Sequence, residues 1–225
     1  MLLSIDKASV KIHLATHAIS DSSISRLKKA LLLSALLLFY LLPVYSLAQS
    51  GSAKKILIVY LSRTKNTKAV AEIIHQQVGG TLMALELVTP YPANYRATVE
   101  QVVKENETGF LPPLKTKIDN IQQYDVVFVG FPTWGMQLPP PIKSFLTRYP
   151  LQGKTVIPFN TNGGYGIGSS FQTVRELCPE SKVLEGFTTR GGSERDGRYL
   201  VIDGEKAREV ETNVISWLRK LNRPN

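Results

Sequence analysis

Residues 55–67 read K-I-L-I-V-Y-L-S-R-T-K-N-T, and how this stretch is read decides the fold. Ile56 to Leu61 is an unbroken apolar run that ends abruptly in small hydroxylated and amide residues. Val70, Ala71, Ile73, Ile74 and Val78 then follow at helical spacing. A continuous Ile/Val/Leu/Tyr run bounded by turn residues suits a strand buried on both faces of a parallel sheet. The unit is therefore strand, short loop, helix, with the loop at the carboxyl end of the strand, where open α/β sheets bind ligands. Ser62, Thr64, Asn66 and Thr67 supply hydroxyl and amide donors, and the N-terminus of the following helix favours an anion such as phosphate. An ordinary helix cap uses the same residue types, so this stretch alone leaves both readings open.

The bulk composition narrows the classes. The chain has 225 residues, enough for one domain with appendages, and 43% of them are apolar. Cys178 is the only cysteine, which excludes an intramolecular disulfide, a cysteine metal cluster and a CxxC pair. With three histidines, two of them near the N-terminus, no metal site is expected. Arg26, Lys28 and Lys29 precede the apolar run Ala30 to Leu42. Pro43 breaks the run, and Ser46-Leu47-Ala48 offers small residues for cleavage. Residues 1–48 thus read as a signal peptide with a long polar n-region, 49–54 as a short leader and 55–225 as a single domain. The expected location is exported, in the periplasm; the alternative is a membrane anchor through residues 30–48, short for a span of about 20 residues. Losing residues 1–48 removes five Lys/Arg and two Asp/Glu, leaving 22 basic against 16 acidic residues. The basic residues are scattered, so no nucleic-acid partner is expected.

Along the remaining chain, strands are expected at Ile56–Leu61, Thr81–Val88, Asp125–Gly130, Lys154–Phe159 and Lys182–Phe187. Helices are expected after Thr67 and over Tyr95–Glu105, Pro140–Tyr149, Ser169–Cys178 and Glu205–Leu221, with Tyr199–Ile202 a possible extra strand. Val99, Val102 and Val103 share one side of the second helix. Pro140 and Pro141 fit the first turn of the third. Five strand–helix units in alternation predict an α/β, doubly wound, five-stranded parallel sheet with helices on both faces. In the order 2-1-3-4-5 the loops after strands one, three and four converge at the topological switch point. The second of these loops carries Trp134 between Pro132 and Pro139. The third, N-T-N-G-G-Y-G-I-G at 160–168, carries Tyr165 among glycines whose backbone lets a ligand approach closely. A phosphate cradle, an aromatic plate and open backbone amides together suit a phosphorylated planar heterocycle. A core tryptophan, a solvated loop tyrosine and plain turn glycines are the alternatives.

The pieces S-R-T-K-N-T (62–67), Y-P-A-N-Y (91–95), Y-D-V-V-F-V-G-F-P-T-W (124–134), L-P-P-P-I (138–142), G-K-T-V-I-P-F (153–159) and T-N-G-G-Y-G (161–166) occur in the order of the flavodoxin-like family, which the chain resembles over about 55–192. The resemblance implies the 2-1-3-4-5 flavodoxin fold and noncovalent FMN. By family role, Ser62, Arg63, Thr64, Lys65, Asn66 and Thr67 would hold the phosphate. Pro132, Thr133, Trp134 and Gly135 would flank the ring, and Thr161, Asn162, Gly163, Gly164, Tyr165 and Gly166 would close its other side. The implied activity is electron transfer, or reduction of a small quinone-like acceptor by an FMN-dependent oxidoreductase, with a small-molecule or protein redox partner. The alternative is a binding module that keeps the fold without FMN. Three departures stand out. Lys65 occupies a place where the family usually has glycine. Gly135 stands where a second aromatic is common. The chain is basic where electron-carrier flavodoxins tend to be acidic, and this basic surround is expected to favour the reduced cofactor. No catalytic acid or base is assigned. His75 reads as a surface residue and Cys178 as structural.

Overall fold

The computed structural model describes residues 54–221; the expected signal segment, and the expected leader apart from Lys54, lie outside the described residues. β1, Ile56–Tyr60, is the centre of construction. Its alternating side chains enter two separate cores: Leu57 and Val59 on one face, Ile58 and Tyr60 on the other. β3, Val126–Pro132, does the same, with Val127, Val129 and Phe131 opposed to Val126 and Phe128. Strands buried on both faces need helices on both sides, and the connections supply them. α1 (Asn66–Val78) and α5 (Gly204–Leu221) pack on the Ile58 face; α3 (Pro140–Arg148) and α4 (Ser170–Leu177) pack on the Leu57 face. α2, Tyr95–Thr108, lies between β2 (Thr81–Ala84) and β3 in the chain.

With β4 at Thr155–Asn162 and β5 at Lys182–Val183, the sheet is parallel in the order β2-β1-β3-β4-β5. It differs from the sequence expectation in four places. β2 stops at Ala84 because Leu87 leaves the sheet to pair antiparallel with Leu114; the buried Leu85 and Leu87 continue the alternation without belonging to the strand. β4 continues through Asn160, Thr161 and Asn162, which the glycine-rich reading had placed in a loop, because β3 also continues and pairs with them up to Pro132 and Thr161. The fifth strand is split into β5 (Lys182–Val183) and β6 (Phe187–Arg190), which pair with successive parts of β4 and give the sheet six strands among the described residues. Tyr199–Ile202 forms no strand; its backbone is held by a side chain from the first loop, described below.

The closing helix buries Val210, Val214, Trp217 and Leu218. Trp217 lies 5.4 Å from Phe187 and 6.1 Å from Phe128, and its Nε1–H donates to Glu185 O. Cys178 is buried, and burial pushes its thiol up to about 11, consistent with a structural residue. His75 is half-buried on α1 with Nε2 3.1 Å from Gly80 O. Among the described residues no helix is long and apolar enough to cross a membrane, and no group of side chains could hold a metal ion.

Candidate functional site

The carboxyl ends of β1, β3 and β4 open onto one cleft of about 750 Å³, within the range of small-molecule sites. Thirteen of the sixteen candidate residues line it. Arg63, Thr64, Asn66 and Thr67 come from the first loop. Pro132, Thr133, Trp134 and Gly135 come from the second. Thr161, Asn162, Gly163, Tyr165 and Gly166 come from the end of β4 and the loop after it. Ser62, Lys65 and Gly164 do not line it. Ser62 borders a smaller cavity of about 300 Å³, and its Oγ accepts from the Lys68 N–H. Lys65 is exposed and precedes α1. The Gly164 N–H is taken by Asn162 Oδ1 at 2.9 Å.

Most side chains of the first loop are already engaged within the protein. The Arg63 guanidinium donates to both Glu194 carboxylate oxygens and to the carbonyls of Pro92 and Ala93. Asn66, 2% exposed, donates to Thr64 Oγ1 and Tyr199 O, and accepts from the N–H groups of Val201 and Ile202. Thr67 and Thr161 share a hydrogen bond of 2.8 Å between buried hydroxyls. These residues therefore build the anion end more than they bind with their own side chains. What they leave for an anion is specific. The Thr64 hydroxyl, whose oxygen accepts from Asn66, keeps its proton, and so does one hydroxyl of the Thr67–Thr161 pair. The N–H groups of Asn66 and Thr67 belong to the first turn of α1, where helices have no internal acceptor. Together with the helix dipole they form a cradle that fits a phosphate.

Lys65 precedes that cradle in the left-handed region, at φ 67° and ψ −3°, so the position requires the backbone that glycine adopts freely. Replacing Lys65 with glycine should raise unfolding stability by about 1 kcal/mol by relieving that strain. Urea denaturation measures it. No gain would mean that the lysine makes a compensating interaction.

The other two loops are fixed less by glycine freedom than by hydrogen bonds. The Asn162 carbonyl oxygen of the side chain gathers the N–H groups of Gly164 and Gly166, so those amides are not open to a ligand. Thr133 Oγ1 donates to Gly166 O and accepts from Asn160 Nδ2. Gly168, at φ +54°, lies so close to Met136 that an added Cβ would overlap the Met136 carbonyl. Trp134 is half-buried, with its ring edge-on to Tyr91 at 5.3 Å and 88°. The Tyr91 hydroxyl donates to the buried Glu105 carboxylate. Burial, and then Glu105, hold the Tyr91 proton well above the usual phenol range. Tyr165 is exposed; Arg195 covers its ring at 5.6 Å and donates to its hydroxyl.

Sequence reasoning missed two walls. One is the segment Gly192–Arg195, which follows β6 and lines the cleft; the polar run after Arg190 reads as loop and carries no periodic signal. The other is a whole face of α2: Tyr95, Thr98, Val99, Val102, Val103, Asn106 and Glu107. The Val99/Val102/Val103 spacing had been the visible sign, but it looks the same for a core-facing stripe. The charged lining is balanced, Arg63 and Arg195 against Glu107 and Glu194, so the basic surplus of the chain does not collect here.

A cleft at the switch point of a 2-1-3-4-5 sheet, with an anion cradle at a helix N-terminus and an aromatic loop beside it, agrees with what comparison with known proteins finds. The family model for flavodoxin matches residues 55–198. Among solved structures, a candidate flavoprotein of Bacteroides eggerthii DSM 20697 is 30% identical, with a TM-score of 0.61 over 76% of this chain and 99% of that chain. A candidate flavoprotein of Bacteroides uniformis ATCC 8492 is 26% identical, with a TM-score of 0.57 over 64% and 96%. A flavoprotein of Lactobacillus acidophilus NCFM, solved in complex with FMN, is 25% identical, with a TM-score of 0.53 over 65% and 99%. No curated protein gives a significant match. By fold, by the place of its cleft and by the family match, the chain belongs to the flavodoxin family.

Proposed function

We propose that this protein binds FMN noncovalently in the cleft and acts as a flavodoxin-type oxidoreductase, passing electrons to a redox partner or reducing a small quinone-like acceptor. The observation that carries this reading is the anion cradle of Thr64, Asn66 and Thr67 opening into the same cleft as Trp134 and the 161–166 loop. Family membership and the FMN found in the Lactobacillus acidophilus relative support it.

Bound FMN would supply electron-transfer chemistry that no side chain here can. This chain's own part is binding and orientation. The first turn of α1 and the Thr64 hydroxyl would hold the phosphate. The Thr67–Thr161 bond ties the first loop to β4, so the phosphate and ring sides of the cleft would be held in one frame. The Glu105–Tyr91–Trp134 contacts hold the tryptophan in one orientation.

The purified protein is expected to take up FMN one to one, quench its fluorescence, and bind FMN at least about tenfold more tightly than riboflavin because only FMN fills the cradle. Indifference to FMN, riboflavin and FAD alike would end the oxidoreductase reading. It would leave the rival, a flavin-free binding module, which the internal engagement of Arg63 and Thr67 favours. We further propose an exported location, which N-terminal sequencing of the protein from fractionated cells decides: a start at Gln49 is expected for a cleaved signal.

A further inference from the structure

Gly192 to Arg198 leave the end of β6 as a closed turn. Its internal backbone bonds are its own: the Asp196 and Arg198 N–H groups donate to Ser193 O, and the Gly197 N–H to Glu194 O. Its stems touch, because a Cβ on Gly192 would overlap the carbonyls of Arg198 and Tyr199. The feet are fixed, one by the Gly191 N–H donating to Asn162 O, the other by Asn66 Nδ2 donating to Tyr199 O. A short surface loop with its ends together and its own side chains packed within is a compact unit. It can swing at its feet without breaking a bond inside it.

Two neighbouring side chains fasten this turn to the walls of the cleft. Among the described residues it makes no other hydrogen bond to the body between its feet. Arg195 donates to the exposed Tyr165 hydroxyl on the glycine-rich loop. Glu194 has the firmer hold. Both its carboxylate oxygens accept from Arg63 Nε, at 2.7 and 3.0 Å, and the Arg63 and Glu194 side chains are only 20% and 14% exposed. The guanidinium is itself pinned to the body, with Nη1 and Nη2 donating to Pro92 O and Ala93 O at 2.9 and 2.8 Å. Pro92 O also accepts from Thr98 Oγ1 of α2. A charge-assisted bond on an already fixed, shielded guanidinium is worth more than an exposed pair such as Lys115–Glu86.

We propose that residues 192–198 are a flap over the cleft, and that the Arg63–Glu194 pair is the latch that times flavin entry and release. The proposal rests on the FMN reading above. It makes Arg63 a positioning residue and not a phosphate ligand, which accords with a guanidinium already bonded to a carboxylate and two carbonyls. Gly192, Ser193, Glu194 and Arg195 line the cleft, so swinging the turn away removes one of its walls. The latch is a bond of the protein with itself, the same with flavin present or absent. A contact made equally in both states does not shift the binding equilibrium. Breaking it leaves the affinity in place and raises the association and dissociation rates together. Loss of a phosphate ligand has a different signature: it weakens FMN but not riboflavin, and mainly through faster dissociation.

The test uses the full chain as wild type, Glu194→Ala, Glu194→Gln, Arg63→Gln, and Glu194→Ala combined with Arg63→Gln. Stopped-flow fluorescence gives the association and dissociation rates of FMN and of riboflavin. Hydrogen–deuterium exchange follows the protein prepared without flavin. Glu194→Ala should raise both FMN rates about tenfold, the size of one hydrogen bond to a charged group, and leave the dissociation constant within about twofold of wild type. Glu194→Gln keeps an acceptor and should fall in between. Riboflavin should respond as FMN does. Arg63→Gln should keep the wild-type ratio of FMN to riboflavin affinity, and the double variant should add little to either single change. Without flavin, deuterium uptake at 192–198 should quicken in Glu194→Ala while uptake in α1 stays as in wild type. An FMN dissociation rate raised alone, with riboflavin unaffected, would overturn the inference by making the pair part of the phosphate site. Flavin rates or flap exchange indifferent to Glu194→Ala would also overturn it and leave the FMN reading standing. A wild type that takes up no flavin would remove both.

Discussion

Asn66→Ala should lower the unfolding free energy by about 3 kcal/mol and weaken FMN binding by about tenfold. One buried side chain makes four hydrogen bonds here. It joins Thr64 in its own loop to Tyr199, Val201 and Ile202, more than 130 positions away. Alanine removes all four and strands one buried and two part-buried backbone groups, each costing about 1–3 kcal/mol where water cannot replace the lost partner. The Ile202 N–H is the most enclosed of them. Urea unfolding should show a lower midpoint with an unchanged slope, the mark of a native-state loss. Asn66→Asp separates the roles. Its carboxylate still accepts from Val201 and Ile202, so more stability survives, but it puts a negative charge at the anion cradle and should hurt FMN binding more than alanine does. Equal FMN affinity in both variants would show that the phosphate does not sit at the first turn of α1.

The second large effect is at Gly168. Two costs coincide when alanine replaces it. The residue must keep φ +54°, and its Cβ meets the Met136 carbonyl oxygen, which already accepts from the Ser169 N–H. Left-handed strain of about 1–2 kcal/mol and overpacking of about 1–3 kcal/mol together predict a loss of roughly 2–5 kcal/mol. The damage should not stay local. The contact is where the tryptophan loop and the glycine-rich loop touch, so relief of the clash moves the two walls that flank the proposed ring subsite. Gly166→Ala is the control: it also has positive φ, at +85°, but an added Cβ meets nothing within 4 Å. It should carry the strain alone. If both variants unfold at the same urea concentration, the close approach at Met136 carries no weight.

The placement of the candidate residues shows how far local pattern reaches. The first strand and helix were legible because Ile56–Tyr60 is buried on both faces and leaves an unbroken apolar run, while α1 has an inward stripe and leaves a periodic one. The end of β4 was misjudged because Asn160, Thr161 and Asn162 have turn-former composition. They are strand because β3 and β6 pair with Asn160 and Thr161 from both sides and β6 pairs with Asn162. The phosphate loop was recognised, yet the side chains of Arg63 and Asn66 have partners, the Glu194 carboxylate and the Ile202 N–H, that no local spacing can announce.

The sequence by itself therefore determined the alternation of strands and helices, the parallel doubly wound sheet, and the convergence of three loops at the ends of β1, β3 and β4. Burial on both faces and right-handed crossover are short-range, one-dimensional constraints. Tertiary structure alone decided which donors of those loops stay free for a ligand and which the protein consumes, because a hydrogen bond is settled by whichever group arrives in space. It also decided that the apolar side of α2 faces a cleft and not a core. Periodicity says that a helix has an apolar face; only the packing of its neighbours says what that face meets.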